Sequence, residues 1–108
     1  MSEATFRAQV RRYLKKHHLL AFVQSFQGTT QGGVPDLLLI IKQSYDRGGK
    51  PARYVWLELK AEKKFHVGKL QLWFRDQIRG HGGESYIINH IDSLKEIMAN
   101  HYNVKECA

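Results

Sequence analysis

The chain begins with apolar residues at helical spacing. Between residues 3 and 16 these residues fall on a single stripe, which predicts an amphipathic helix with Ser2 as its N-cap. An apolar run over residues 19–26 then predicts a first β-strand. The first quarter of the chain is therefore expected to fold as a helix followed by a strand.

Two further apolar runs flank a polar link and predict a β-hairpin. Residues 37–41 and 54–57 are rich in large and β-branched apolar side chains, which is typical of strands. The link between them, residues 42–51, contains glycines and suits a hairpin loop. We expect antiparallel pairing about a turn centred near Arg47.

This register brings charged residues together at one end of the hairpin. Asp36 is expected to lie opposite Glu58. Side chains alternate between the faces of a strand, so Lys60 shares a face with Glu58 whereas Leu59 points the other way. The spacing therefore predicts that two carboxylates and an ammonium converge, an arrangement suited to metal-dependent hydrolysis.

The second half of the chain predicts a helix, a strand and a helix. Apolar residues recur at helical spacing over residues 67–79, and residues 84–88 form a short apolar strand. Ser93 and Glu96 have the spacing of a capping box, which predicts a last helix running to about Tyr102. The predicted order is αβββαβα, an α/β fold with a mixed sheet.

Two polar residues lie on stripes that are otherwise apolar. Glu3 shares the stripe of the first helix, and Gln71 that of the second, so both are expected to face inward. Glu3 could instead simply complement the helix macrodipole at an N-terminus. Gln71 could be a boundary residue whose amide reaches solvent. The sequence leaves both alternatives open.

Composition favours a basic, non-exported protein with polyanionic partners. The formal charge is +7, and 43% of the residues are hydrophobic, which is ordinary for a globular domain. No apolar run could span a membrane, and the N-terminus lacks the apolar region of an export signal. Cys107 is the single cysteine, so no internal disulfide is expected. We expect a cytoplasmic protein.

The positive charges fall into two segments that flank the predicted acidic site. Each could be an ordinary solvated face, but their position favours contacts with a phosphate backbone. The histidines show no compact zinc spacing. The residues expected to contact DNA are Arg7, Arg11 and Lys15 of the first helix, and Lys63, Lys64 and Lys69 after the second hairpin strand.

Together these elements resemble the PD-(D/E)xK nuclease superfamily. Within it the chain is similar to the virus-type replication-repair nuclease (VRR-NUC) family, as a minimal stand-alone member of the kind found in phages. The resemblance rests on Gly33-Val34-Pro35-Asp36 before a strand, Glu58-Leu59-Lys60 at the end of the next, Gln71 opening a helix, and Glu3. One departure is Gly68, where relatives commonly carry Ser or Thr.

The resemblance implies a restriction-endonuclease-like αβββαβ core with a mixed central sheet and a C-terminal helix, so that residues 1–108 form one VRR-NUC nuclease domain. Carboxylate oxygens suit Mg²⁺ or Mn²⁺. The implied metal ligands are Glu3, Asp36, Glu58 and the carbonyl of Leu59. The implied catalytic residues are Asp36, Glu58, Lys60 and Gln71. Lys60 would act as base or orient the water, and Gln71 would position Lys60 or a phosphate.

The expected activity is that of a Mg²⁺-dependent endodeoxyribonuclease in a bacterial host cell. The resemblance and the small size together suggest a homodimer acting on branched DNA, with a four-way (Holliday) junction as the leading substrate. Three alternatives stay open. Asp36 and Glu58 could belong to a turn and an exposed ion pair, the chain could be a non-catalytic basic nucleic-acid-binding module, or it could be a restriction-type nuclease with sequence preference.

Overall fold

A computed structural model of the protein describes residues 2–23, 35–42, 52–60 and 68–104, apart from the side chain of Glu3. The elements follow in the predicted order αβββαβα, so the α/β class is confirmed. They are α1 (Glu3–Lys16), β1 (Leu20–Val23), β2 (Leu37–Ile41), β3 (Arg53–Leu59), α2 (Lys69–Gly80), β4 (Glu84–Ile88) and α3 (Ile91–Tyr102). Within the described ranges, no helix has the length and apolar character that crossing a membrane requires.

Strand β3 was predicted over residues 54–57 and extends from Arg53 to Leu59, and β1 and α2 begin later than predicted. The first strand was predicted from residue 19 and begins at Leu20; residues 24–26 of that prediction lie outside the described ranges. The second helix begins at Lys69, and Val67, with which the predicted helix opened, also lies outside them. None of these shifts changes the order of the elements.

The four strands form one mixed sheet in the order β1-β2-β3-β4. The first three strands pair antiparallel, and β4 pairs parallel to β3. A parallel pair needs a crossover connection, and α2 supplies it between β3 and β4. The predicted mixed sheet is confirmed.

The register between β2 and β3 is the one predicted from a turn centred near Arg47, although the turn itself lies outside the described ranges. Leu37 pairs with Leu57. Continuing the ladder by one residue places Asp36 opposite Glu58. Leu57 and Leu59 are buried on the inner face of the sheet, so Glu58 between them points to the outer face.

The hydrophobic core lies between the inner face of the sheet and two helices. Helices α1 and α3 pack against each other, α1 also contacts β1 and α3 contacts β4. The core side chains are Phe6, Val10, Tyr13 and Leu14 from α1; Leu37, Leu39, Ile41, Val55, Leu57, Leu59 and Ile88 from the sheet; and Leu94, Met98 and Tyr102 from α3. This packing holds β2 and β3 rigidly beneath the charged residues at their ends.

Helix α2 lies on the opposite side of the sheet, where it contacts β4 and reaches Glu58 through Gln71. None of its residues is fully buried. Leu70 and Trp73 are 49% and 53% exposed. The helix is thus partly exposed to solvent on the side of the sheet that carries Glu58.

The helix termini confirm one predicted cap and correct another. Ser2 caps α1, because its hydroxyl accepts a hydrogen bond from the Thr5 N–H at 3.1 Å. The predicted cap at Ser93 is wrong, since Ser93 lies inside α3. The N-cap is His90, whose ring nitrogen Nδ1 accepts the Asp92 N–H at 3.1 Å and so replaces the usual capping oxygen.

A cluster around Arg53 joins the sheet to the end of α3, at the opposite end of β3 from Glu58. The Arg53 guanidinium is bonded to both carboxylate oxygens of Glu84 and to the carbonyl oxygen of His101. It also stacks 4.2 Å from the ring centroid of Tyr102, whose hydroxyl donates to Glu84 at 2.8 Å. The Arg53 cluster therefore fastens β3, β4 and α3 to one another.

Candidate functional site

The candidate site lies where β2 begins and β3 ends. Asp36 directly precedes β2, and Glu58 is the penultimate residue of β3. Both residues are buried, with 7% and 6% of their surface exposed, and their carboxyl groups are hydrogen-bonded to each other. Two buried acids in contact require a proton or a cation between them, because two adjacent carboxylates repel each other strongly.

Asp36 is the ionised member of the pair. Its Oδ2 accepts the main-chain N–H of Leu59 at 2.8 Å, and its Oδ1 accepts a guanidinium N–H of Arg7 at 3.0 Å. Burial alone would raise the pKa of Asp36, but hydrogen bonds from Glu58, Leu59 and Arg7 outweigh it and lower the pKa below its usual value.

Glu58 is the protonated member. Burial, followed by the hydrogen bond and the negative charge of Asp36, raises the pKa of Glu58 to about 8. The charge of Lys60 and the amide of Gln71 work in the opposite direction and only partly offset that rise. At neutral pH the pair therefore holds one proton and one negative charge.

Gln71 contacts Glu58 directly. Its amide nitrogen donates to Glu58 Oε2 at 2.9 Å, while its amide oxygen accepts the Gly68 N–H at 2.9 Å. The second bond fixes which way the amide points, because an oxygen facing Gly68 leaves the nitrogen facing Glu58. Gln71 faces inward as predicted, and it reaches Glu58, whereas the resemblance assigned it to Lys60 or a phosphate.

The same bond shows how α2 begins without the Ser or Thr of the relatives. Gly68 is the N-cap, and the Gln71 side chain takes up its N–H. One glutamine thus completes the helix terminus and reaches the buried acid. The departure at Gly68 leaves the site intact.

Lys60 follows β3 at the edge of the site. Its main-chain N–H donates to the Ile88 carbonyl at 2.9 Å, which extends the sheet by one bond beyond β3. The residue is half-buried, and its positive charge acts to lower the pKa of Glu58.

Arg7 makes a contact that the sequence analysis did not foresee. Its guanidinium pairs with Asp36, and its side chain is 32% exposed, so the DNA contact expected of it stays a prediction. The sequence contained a signal for this position, since Arg7 lies three residues before the buried Val10 and so borders the buried side of α1. The contact itself joins residues that are distant in sequence.

The other predicted residues lie around this centre or outside the described ranges. Glu3 begins α1, and its side chain is not among the described atoms; Lys63 and Lys64 lie outside the described ranges altogether. Arg11, Lys15 and Lys69 are exposed. These placements leave the roles predicted for them untested.

The donor set fits a hard divalent cation. Asp36 and Glu58 offer carboxylate oxygens, the ligands that Mg²⁺ and Mn²⁺ prefer. In the parts of the chain that the structure describes, no third Asp, Glu, His or Cys joins them. A Mg²⁺ site commonly uses one or two carboxylates and completes its coordination with water and substrate phosphate. The proton held between the two acids marks a place where a cation would relieve their repulsion.

Comparison with known proteins identifies the fold. No protein-family model matches the chain, and no curated protein matches it. A solved structure described as a VRR_NUC domain superposes on 93% of this chain and 97% of its own length, with a TM-score of 0.69 and 19% sequence identity. The chain has the fold of a VRR_NUC domain. The predicted resemblance is confirmed at this level.

Proposed function

We propose that this chain is a metal-dependent endodeoxyribonuclease. The observation that carries the proposal is the pair of buried carboxyl groups, Asp36 and Glu58, held together at one end of the sheet with Lys60 beside them. A structural ion pair would not need two buried acids in contact, since that arrangement costs stability. The VRR_NUC fold supports the same reading.

Asp36 and Glu58 would hold Mg²⁺ or Mn²⁺, and the Leu59 carbonyl, which the resemblance implies as a ligand, would be a third. The N–H of Leu59 points toward Asp36. In an extended strand the N–H and C=O of one residue face the same neighbouring strand, so the Leu59 carbonyl is directed to the same side. When bound, the ion would neutralise negative charge on the phosphate and lower the pKa of a bound water.

The remaining chemistry falls to the chain's own side chains. Lys60 would orient the attacking water or accept its proton, and it would stabilise charge on the phosphate. Gln71 would fix the carboxylate of Glu58 in its ligand geometry. The exposed Arg11, Lys15 and Lys69 would contact the phosphate backbone, which accounts for the excess positive charge.

The proposed substrate is branched DNA, with a four-way junction as the leading candidate, and the proposed assembly is a homodimer. One small domain carries one candidate site, whereas cutting two strands of a junction needs two. In the described segments we find no helix with the docking geometry of a base-reading motif, so the shape of the DNA would guide the cut.

The test uses labelled junction and duplex DNA with Mg²⁺, Mn²⁺ or EDTA. We expect cleavage only with metal, and loss of cleavage with retained DNA binding in Asp36→Asn and Lys60→Met. Glu96→Gln, on the exposed side of α3, is the matched control and should cut normally. Junctions of different sequence should be cut alike, and sedimentation should show a dimer.

The second candidate function is a basic nucleic-acid-binding module without catalysis, which the charge of +7 favours. Binding without metal and no cleavage of any DNA under these conditions would establish that alternative. Cleavage of one sequence only would instead point to a restriction-type nuclease.

A further inference from the structure

Besides the hydrogen bond from Glu58, each oxygen of the Asp36 carboxylate has a partner of its own, and the two partners differ in kind. Oδ2 accepts the main-chain N–H of Leu59, which the end of β3 fixes in place. Oδ1 accepts the guanidinium of Arg7 at 3.0 Å. Only 10% of the Asp36 side chain is exposed. A cation that approaches the carboxylate therefore competes for Oδ1, the oxygen that a flexible side chain holds.

Arg7 is also the first member of a row of cations on α1. Arg11 and Lys15 follow it at intervals of one helical turn, so the three residues lie along one side of the helix. Arg11 and Lys15 are exposed, whereas Arg7 is only partly so. A phosphate backbone that follows this row would reach Arg7 at the point where it meets Asp36.

We propose that Arg7 exchanges Asp36 for a substrate phosphate, and that this exchange couples DNA binding to metal binding. Without nucleic acid, Arg7 neutralises Asp36 and opposes a divalent cation at the same oxygen. With a phosphate backbone along α1, the guanidinium bonds to phosphate and frees Oδ1. The exchange rests on the proposed nuclease function. It would explain why the metal binds mainly when substrate is present.

The exchange is physically reasonable because both partners of Arg7 are oxyanions. Guanidinium groups form bidentate bonds with phosphate as readily as with carboxylate, so little is lost when one replaces the other. The affinity for the divalent cation increases, because the positive charge of Arg7 moves away from the Asp36 carboxylate. Linkage requires the coupling to be mutual, so metal should strengthen DNA binding by the same factor as DNA strengthens metal binding.

The test measures Mn²⁺ affinity by calorimetry, with and without a short four-way junction. All proteins carry Lys60→Met so that the DNA stays intact, and the unmodified chain is titrated without DNA as a reference. We expect Arg7→Gln to bind Mn²⁺ more tightly than its parent without DNA, by about fivefold or more, the lower end of typical couplings. With DNA the difference between the two proteins should largely disappear.

Two further variants separate competition from structural support. Arg11→Gln, one turn along the row, should leave Mn²⁺ affinity without DNA unchanged while weakening DNA binding. Arg7→Lys keeps the charge and should bind Mn²⁺ like its parent. Circular dichroism spectra would establish that each protein is folded, and Arg7→Met, which also removes the charge and should bind Mn²⁺ more tightly, takes the place of Arg7→Gln if that variant is not.

The proposal is overturned if Arg7→Gln binds Mn²⁺ no more tightly than its parent without DNA, or if Arg7→Lys binds it several-fold more tightly. In the first case Arg7 would only support the shape of the site, and in the second its charge would not matter. A chain that binds no Mn²⁺ even with DNA, and cuts nothing, would instead refute the proposed nuclease function.

Discussion

Replacing Glu58 by glutamine should change how the stability of the metal-free protein depends on pH. Glutamine has the shape of a protonated glutamic acid, so it can donate to Asp36 and accept from Gln71 as the native residue does. It cannot ionise. Any difference in pH dependence between Glu58→Gln and the native chain therefore reports the titration of this one buried carboxyl, since all histidines are common to both proteins.

The expected size of the effect follows from the pKa of Glu58, which the buried site raises from 4.5 to about 8. A group with a raised pKa in the folded state contributes stability that is fully present below its unfolded pKa and lost as the pH rises through its folded pKa. Between the unfolded and folded pKa values, each pH unit lowers the free energy of unfolding by about 1.4 kcal/mol, and about two such units separate pH 6 from the folded pKa. The native chain should therefore lose on the order of 2–3 kcal/mol relative to Glu58→Gln between about pH 6 and pH 9.

Urea unfolding in EDTA, followed by circular dichroism, would measure this difference. Melting temperatures offer a second readout, since each kcal/mol corresponds to about 4–8 °C in a domain of this size. Glu96→Gln, an exposed acid on α3, should show the same pH dependence as the native chain. If the native chain and Glu58→Gln lost stability in parallel, Glu58 would not carry the proton, and the description of the acid pair would be wrong.

Two further predictions concern the scaffold, and both are measured as urea midpoints. Arg53→Met should destabilise the fold by about 2 kcal/mol, because it leaves partly buried polar partners unpaired. The matched control, Arg75→Met, loses only a bond to an exposed neighbour and should cost under about 0.5 kcal/mol. Equal effects would show that the Arg53 cluster contributes little. Gly83→Ala should cost about 1–3 kcal/mol, because the new Cβ would lie 2.7 Å from Ile78 Cγ2, while Gly80→Ala meets no atom within 4 Å and should be neutral or slightly stabilising. A tolerated Gly83→Ala would mean that the turn after α2 adjusts freely.

The order of the elements could be predicted because it depends on periodicity, and the hairpin register could be predicted from a turn placed near Arg47. Alternating side chains in β3 place Leu57 and Glu58 on opposite faces, and the observed register keeps the apolar set buried. The meeting of Asp36 with Glu58 follows from that register alone. The position of Gln71 was predicted for a similar reason, since it lies on the apolar stripe of its helix.

Other features could not be predicted because they depend on tertiary contacts or on unusual chemistry. The pairing of Arg7 with Asp36 depends on how α1 packs against the sheet, which no local pattern specifies. The cap of α3 was misassigned because Ser93 is a common capping residue, whereas the imidazole of His90 is an uncommon acceptor. The Arg53 cluster, which joins three elements, has no signature in the sequence.

The alternation along β3 also determines where this protein can tolerate changes in length. One residue inserted between Val55 and Leu57 would turn Glu58 toward the apolar space beneath α1 and α3 and bring Leu57 out in its place. One inserted residue among 43–51 leaves the strand pattern unaltered. Related sequences that diverge by insertion should therefore keep β3 constant in length and vary in the segment that leads to it.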